Sequence, residues 1–427
     1  MDIEYYRQLD RDHLWHPYTR FSAVSRGDLP MIVRGEGIHL FDADGRRYVD
    51  AVSSWWACSL GHNHPRIVQA IIGQASQLQH SILGNLSHPA AVELAARLAG
   101  LMPDTRCHVH FASDGASAVE AALKIAIQHA HNKGETGRVK FASLEDAYHG
   151  DTLGAVGVGY LEEFHLPLKA MLSSAIRLPL PVNGCYNDPA TLLDKNANEL
   201  AAVIVEPLCL GAGGMRMYPS DWLRRLSGLC RERGILMIVD EIAMGFGRTG
   251  RMFAFEHAGI EPDIVCVGKA LSAGYLPISA AIVRDEIFKT FNDEPEDHTF
   301  YHGHTYAGNP IAAAAALETL RVYEDDNIIQ RAADQGDLLK EWLQKMEQYA
   351  GVREVRCLGL IGVVELEPDY SDGNAPARPR RIQQAMRERG YLIRPLDNVV
   401  YLMPPLNIAE ADLKAMVDAL SDSIRKS

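Results

Sequence analysis

An acid and a lysine each follow a short apolar run in the middle of the chain. Asp240 comes directly after ILMIV, and Lys269 comes directly after IVCVG. A buried carboxylate costs free energy unless it meets a cation, and a lysine beside a buried strand is rare without a partner. The two residues therefore predict either a structural ion pair between neighbouring strands or a pyridoxal phosphate site. In such a site a lysine forms a Schiff base and an acid keeps the pyridine nitrogen protonated.

The segment GFGRTG (245–250) offers a competing interpretation. Its spacing fits G-x-G-x-x-G, the dinucleotide-binding turn that follows a buried strand. Such a turn opens directly into a helix and is followed, about 20 residues later, by an acid that ends the next strand. Here that position falls near Lys269. The spacing therefore favours a site built on the acid and the lysine over a nucleotide site.

A turn of small residues could hold a phosphate group. SDGASAVEAALKIA begins with such a turn and runs into a helical pattern, so the amides of Gly115 and Ala116 are expected to face an anion. Ser117 and Glu120 have the spacing of a capping box. The alternative is an ordinary capped helix without a ligand. Thr305, in HGHTYAGNP, is a second possible phosphate ligand; the H-x-H there has no evident third metal ligand, so no metal is expected.

Aromatic residues and an arginine could complete a pocket. Tyr148 and His149, in AYHGDT, could stack on a cofactor ring or belong to a partly exposed turn. WHPYT (15–19) and SSWW (53–56) hold three of the five tryptophans, which could fill a core or line a pocket for a long apolar substrate. Arg394, in IRP, is either an exposed ion-pair partner or a bidentate clamp for a carboxylate.

Six apolar runs must position these side chains. They are CHVHFAS, VKFASL, AAVIVEPL, ILMIVDEI, DIVCVGKA and ISAAIV. Continuous apolar runs are typical of buried parallel strands, and helical patterns lie between several of them. We therefore predict a doubly wound α/β fold with ligands at the carboxyl ends of the strands. We expect an N-terminal segment (1–60) that joins the small domain, a large cofactor-binding domain (61–320) and a C-terminal small domain (321–427).

The composition argues against several classes of protein. A net charge of −13 over 427 residues argues against nucleic acid or anionic membranes as partners. The seven cysteines are scattered and include no C-x-x-C pair, so neither a zinc site nor a disulfide framework is expected. No run approaches the roughly 18 apolar residues of a membrane span, and the first residues lack the apolar stretch of a signal peptide. We expect a cytoplasmic protein.

The run IVDEIAMGFGRTGRMFAFEHAGIEPD, followed by IVCVGKALSAG, is similar to the signature of class III pyridoxal-phosphate aminotransferases. The resemblance extends over nearly the whole chain. It implies fold type I, an α/β fold in which a large domain with a mostly parallel seven-stranded sheet binds pyridoxal 5'-phosphate. It also implies a smaller α+β domain built from both termini, and a homodimer with active sites at the subunit interface.

WHPYT, SSWW, YHGDT, GAGGMRMY, IRP and YLMPP resemble more narrowly the branch of this family that acts in biotin biosynthesis. That branch implies a ping-pong transfer of an amino group to 8-amino-7-oxononanoate, giving 7,8-diaminononanoate. The implied donor is S-adenosylmethionine, although lysine serves in some relatives. Three alternatives stay open: another class III ω-amino acid or diamine transaminase, an aminomutase on the same fold, and a binding protein with a vestigial site.

The resemblance also implies roles for individual residues. Lys269 is expected to form the Schiff base and to move the substrate proton, while Asp240 holds the pyridinium nitrogen. For the cofactor, the resemblance implies that Tyr148 stacks on the ring and that Glu206 lies nearby. It implies that the phosphate is held by the Gly115 and Ala116 amides and by the other subunit's Thr305. The implied substrate-binding residues are Tyr18, Trp55, Trp56, Asp151, Gly303 and Arg394.

Three positions depart from the family pattern. Ala116 lacks the hydroxyl that relatives often carry in the phosphate turn, His304 stands where proline is frequent, and Met244 occupies a threonine-like position. These departures bear on the phosphate and on the donor side of the pocket. Within GFGRTG, Arg248 is expected to pair with Glu206 near the cofactor.

Overall fold

The computed structural model describes residues 2–27, 29–181, 188–369 and 377–427. Within these ranges the strands are β1 (Ile32–Glu36), β2 (His39–Asp42), β3 (Arg47–Asp50), β4 (Cys107–Ala112), β5 (Lys140–Leu144), β6 (Ile176–Leu178), β7 (Leu200–Val205), β8 (Cys209–Leu210), β9 (Arg216–Met217), β10 (Leu236–Asp240), β11 (Ile264–Val267), β12 (Ser279–Arg284), β13 (Val352–Leu358), β14 (Ile361–Leu366), β15 (Tyr391–Leu392) and β16 (Val399–Leu402).

The α-helices of the same ranges are α1 (Ile3–His13), α2 (Phe21–Ser25), α3 (Ser53–Trp56), α4 (Pro65–Gln77), α5 (Pro89–Gly100), α6 (Gly115–Asn132), α7 (Leu153–Val158), α8 (Glu162–His165), α9 (Ala190–Asn196), α10 (Ser220–Glu232), α11 (Asp285–Phe288), α12 (Pro310–Asp325), α13 (Ile328–Gln344), α14 (Ala377–Glu388) and α15 (Glu410–Lys426). Short 3-10 helices lie at Leu166–Met171, Ala254–His257, Lys269–Ser272 and Lys289–Phe291. No helix in the described ranges is long and apolar enough to cross a membrane.

The central sheet has seven strands in the order β4-β12-β11-β10-β7-β5-β6. The six apolar runs of the sequence form six of these strands, and the predicted α/β fold with a mostly parallel seven-stranded sheet is confirmed. β12 is the antiparallel member, since it pairs antiparallel with both β11 and β4. The seventh strand, β6, was not predicted, because its three residues are too few to show a pattern.

Both faces of the sheet are covered, which explains why its strands are continuously apolar. Val203 and Val205 of β7 belong to one hydrophobic cluster, and Ile204 between them belongs to another on the opposite face. α6 packs against β4, β11 and β12, while α12 packs against α4 and α5. Loops at the carboxyl ends of the parallel strands are left to build a site.

The two ends of the chain meet beside this sheet. β3 pairs in parallel with β15, in a four-stranded sheet with β1 and β2. The Met403 N–H donates to the Ala51 carbonyl at 2.8 Å, and the Leu406 N–H donates to the Ser59 carbonyl at 2.7 Å. A three-stranded sheet of β13, β14 and β16 packs under α13. The division of the chain after residues 60 and 320 stays a prediction.

Candidate active site

Asp240 and Glu241 lie at the end of β10 and have different surroundings. Successive side chains of a strand point to opposite faces, so the two carboxylates separate. Asp240 Oδ2 lies 2.7 Å from His149 Nδ1, and its Oδ1 accepts from the Ile242 N–H at 3.1 Å. Glu241 Oε1 instead accepts from the Phe255 N–H at 2.8 Å. Asp240 therefore faces the loops at the carboxyl ends of the strands, which include His149. Glu241 accepts a hydrogen bond from the segment that follows β10.

Lys269 follows the neighbouring strand β11, which pairs in parallel with β10. Its backbone φ is +43°, a left-handed conformation that is uncommon for a side chain with a Cβ. Its Nζ lies 5.0 Å from the centre of the Trp56 ring. Burial lowers the pKa of Lys269, and the charges of Asp240 and Glu206 oppose that shift. A lysine whose pKa is lowered more readily supplies the neutral amine that attacks a carbonyl.

The turn before α6 leaves backbone donors free. Asp114 is the N-cap of the helix, and its carboxylate accepts from both the N–H and the Oγ of Ser117. The predicted capping box is therefore wrong: Glu120 accepts from Thr152 Oγ1 and from the Gly154 N–H. The first amides of a helix have no partner inside it, so those of Gly115 and Ala116 can face an anion.

Two glycines allow close packing around this turn. A Cβ on Gly115 would lie 3.0 Å from the side chain of Ile242, next to Asp240. Gly150 has a φ of +120°, and a Cβ there would lie 2.4 Å from the Cβ of Ala116. The turn, the acid and the lysine lie at the same edge of the sheet. This set of residues fits pyridoxal phosphate, which needs an anion site, an acid and an amine.

Glu206 lies just after β7 and accepts hydrogen bonds from two loops of the site. Its carboxylate accepts from the Tyr148 N–H and from the Gly211 N–H, each at 2.9 Å. Burial is the main cause that raises the pKa of Glu206 to about 7. The predicted pairing with Arg248 is wrong. The guanidinium of Arg248 donates to the Leu360 and Pro404 carbonyls, which lie in the C-terminal part of the chain.

Tyr148, Tyr18 and Asp151 lie close together. The Tyr18 hydroxyl donates to Asp151 Oδ1 at 2.6 Å. Burial is the main cause that raises the pKa of Tyr148, and a hydrogen bond with Tyr18 adds to the effect. Burial likewise raises the pKa of Tyr18 to about 12, with a further increase from Asp151. The N-terminal segment thus contacts the loop after β5 directly, as the implied substrate pocket requires.

The four residues of SSWW, which form the single turn α3, all have left-handed backbone angles. Each of its four residues has a positive φ, between +46° and +72°. The Arg394 guanidinium lies 3.8 Å from the centre of the Trp55 ring and 5.8 Å from that of Tyr18. Trp56 Nε1 donates to the Tyr401 hydroxyl at 3.2 Å. Trp56 therefore lies beside Lys269, and Trp55 lies beside the cation of Arg394.

Thr305 and Gly303 are the implied residues that this chain does not bring into its own pocket. Both are exposed. His304 Nδ1 lies 3.3 Å from Ser113 Oγ, so this loop lies beside the phosphate turn of the same chain. The pairing of His149 with Asp240, and the rings of Phe164 and His165 near Tyr18 and Tyr148, were not predicted. The short segment EEFH carries no pattern that would have indicated them.

Comparison with known proteins agrees with this geometry. The family model described as aminotransferase class-III matches residues 22–424. The adenosylmethionine-8-amino-7-oxononanoate aminotransferase of Aquifex aeolicus is 38% identical over 100% of this chain and 98% of its own length. The crystal structure of the Methanocaldococcus jannaschii enzyme of that name is 36% identical, covers 100% of both chains and superposes with a TM-score of 0.95.

A second solved structure shows the cofactor. The amine transaminase from an uncultivated Pseudomonas species, in a pyridoxal phosphate-bound form, is 34% identical over 97% of this chain and 99% of its own, with a TM-score of 0.91. The chain belongs to the class III aminotransferases, enzymes that use pyridoxal 5'-phosphate.

Proposed function

We propose that this aminotransferase moves an amino group from S-adenosylmethionine to the ketone of 8-amino-7-oxononanoate, which gives 7,8-diaminononanoate for biotin biosynthesis. The main support for this proposal is that the pocket has two opposite charges, the guanidinium of Arg394 and the carboxylate of Asp151. Arg394 lies over the Trp55 ring, and Asp151 lies beyond the Tyr18 hydroxyl. A substrate with a carboxylate at one end and an ammonium group near its ketone matches both charges. Relatives that carry this name, at 33–38% identity, support the assignment.

The cofactor, when bound, supplies an aldehyde carbon that accepts the amino group and a ring that withdraws electrons from the substrate Cα. Asp240 is then the residue that holds a proton at the ring nitrogen, and His149 keeps its carboxylate in place. Lys269 carries the amine for covalent attachment and, once the substrate amine has displaced it, would move a proton between the substrate Cα and the cofactor within each half-reaction. Tyr148 excludes water from one face of the ring, and its backbone is fixed by Glu206.

The phosphate site is proposed to need a second copy of the chain. The Gly115 and Ala116 amides supply one side of it, and Thr305 of the other subunit supplies the other, with Gly303 next to the substrate. Large aromatic side chains are exposed on the single chain, including Trp15 at 94% and Tyr301 at 82%. Aromatic side chains are enriched at subunit interfaces. We therefore infer a homodimer. We also propose that the enzyme is cytoplasmic and acts on small molecules.

A half-reaction tests this function directly. Enzyme loaded with pyridoxal phosphate is mixed with S-adenosylmethionine, lysine or a simple diamine, and the visible absorbance of the bound cofactor is followed. S-adenosylmethionine is expected to bleach the band, and 8-amino-7-oxononanoate is then expected to restore it. Bleaching by the diamine alone would assign the chain to a different class III transaminase. Lys269→Ala is expected to remove the visible band, and a persisting band would refute the role of Lys269.

A further inference from the structure

His165 is a buried histidine at the wall of the pocket. It ends the short helix α8 and is 4% exposed. Its ring lies nearly parallel to that of Tyr148, at 13° and with centroids 6.3 Å apart. The neighbouring Phe164 packs edge-on against Tyr18 at 5.5 Å. α8 therefore contacts both tyrosines that surround Asp151.

The hydrogen bonding of His165 fixes the position of its proton. The Leu161 N–H donates to Nδ1 at 3.0 Å, so Nδ1 is an acceptor and carries no proton. Burial lowers the pKa of His165, and the nearby Asp151 opposes that shift. In the neutral imidazole with an accepting Nδ1, the proton is on Nε2. His165 thus presents an uncharged N–H donor on the side away from Leu161.

That donor has no hydrogen-bond partner in the described part of the chain, although it is buried. Nε2 lies 3.7 Å from Asp151 Oδ1, which is just beyond hydrogen-bond range. A buried donor without an acceptor costs free energy, so such groups in a pocket often gain their partner when a ligand binds. Asp151 is itself half-exposed and already accepts from Tyr18.

We propose that His165 is the positioning residue that holds Asp151 for the ammonium group of the substrate. This inference rests on the proposed function, since the ammonium is that of an α-amino ketone such as 8-amino-7-oxononanoate. When the cation enters, Nε2–H closes onto Oδ1 together with the Tyr18 hydroxyl. Oδ2 is then left free and directed at the ammonium. Both donors are uncharged, so they orient the carboxylate without neutralising the charge that recognises the cation.

Two amide substitutions separate this role from a structural one. In His165→Asn the amide oxygen can replace Nδ1 and accept from Leu161, but nothing replaces Nε2–H. In His165→Gln the amide nitrogen can replace Nε2–H, but the Leu161 N–H loses its acceptor. We expect His165→Asn to raise the KM for 8-amino-7-oxononanoate about tenfold or more, with kcat nearly unchanged, and His165→Gln to stay within about threefold of wild type.

The midpoint of thermal unfolding is expected to be lower for His165→Gln than for His165→Asn, so the variant with the smaller change in KM is the less stable one. 7-Oxononanoate is the control acceptor, because it has the ketone and the carboxylate but no ammonium. Its KM is expected to be the same for wild type and His165→Asn. In an Asp151→Asn background, His165→Asn is expected to add no further rise in KM.

Equal KM values for wild type and His165→Asn would overturn the inference. A larger rise in KM for His165→Gln than for His165→Asn would also overturn it, because the KM values would then follow the stability of the variants. An additive rise in KM in the Asp151→Asn background would do the same. The proposed function is tested separately by wild-type turnover. If wild type does not aminate 8-amino-7-oxononanoate, the proposed function fails and this inference fails with it. If wild type does so and the variants match it, only the role of His165 is refuted.

Discussion

Glu241→Gln is expected to stabilise the protein, and more at high pH than at low pH. Glu241 is fully buried beside the active-site strand, and its Oε2 has no hydrogen-bond partner among the described residues. Burial is the main cause that raises the pKa of this carboxyl to about 8. Glutamine has the same shape and keeps the acceptor for the Phe255 N–H, but it carries no charge. The substitution therefore isolates the cost of ionising one buried carboxyl.

The size and sign of the effect follow from the pKa difference. Because the pKa in the folded protein, about 8, lies above the ordinary value of 4.5, the folded protein keeps a proton that the unfolded chain has released. Stability therefore falls as the pH rises from about 4.5 to about 8. At about 1.4 kcal/mol for each unit of pKa, the carboxyl costs about 3 kcal/mol more at pH 9 than at pH 6. The glutamine variant is free of this cost.

Urea unfolding at pH 6 and pH 9, with pyridoxal phosphate at saturation, measures the difference. The loss of unfolding free energy between the two pH values is expected to be about 3 kcal/mol larger for wild type than for Glu241→Gln. Other titrating groups are common to both proteins and cancel in this comparison. Glu145→Gln, at an exposed position, is the matched control and is expected to behave as wild type. A pH dependence in Glu241→Gln that equals the wild-type one would refute the reasoning.

Three further substitutions test the site itself. His149→Phe keeps a ring but removes the 2.7 Å hydrogen bond to Asp240, and is expected to lower the free energy of unfolding by about 1.5–3 kcal/mol in urea titrations. Arg394→Lys keeps the charge but loses the planar fork, so the steady-state KM for 8-amino-7-oxononanoate is expected to rise about tenfold. Gly150→Ala forces a Cβ against Ala116 and is expected to weaken pyridoxal phosphate binding about tenfold or more in equilibrium dialysis.

Each of these has a control elsewhere on the chain. His108→Phe removes a partly exposed contact with Asp285 and is expected to cost less than about 0.5 kcal/mol. Arg389→Lys and Gly228→Ala change the same residue types where no pocket is involved, and a Cβ on Gly228 meets nothing within 4 Å. If a site variant and its control behave alike, the contact assigned to that site residue does not carry the effect.

The central sheet and the positions of Asp240 and Lys269 were predictable because buried strands have continuous apolar sequences. Runs such as ILMIV and IVCV are apolar on both faces, and their ends place Asp240 and Lys269 on adjacent strands. β6 was not predictable, because three residues cannot show a period. The predicted capping box was wrong because the helix begins earlier, at Gly115 with Asp114 as its N-cap, which leaves Ser117 inside the first turn.

Contacts between distant segments were harder to predict than elements. Arg248 was expected to meet a carboxylate, yet backbone carbonyls of the C-terminal part satisfy it, and no local spacing encodes that choice. Phe164 and His165 belong to a short segment, EEFH, whose sequence shows no periodicity that would place them at the pocket. The resemblance supplied Tyr18, Asp151 and Arg394 as pocket residues, but only the structure shows that they adjoin one another.

The meeting of the two chain ends has a consequence for synthesis on the ribosome. Ser53 Oγ donates to the carbonyl of Met403, a residue 350 positions later along the chain. At about 5–20 residues per second, that partner is made about 20–70 s after the tryptophan turn. During this interval the turn lacks its C-terminal partners Arg394, Tyr401 and Met403, and exposed apolar segments of nascent chains aggregate readily. The part of the site that this turn forms is therefore among the last parts of the nascent enzyme to fold.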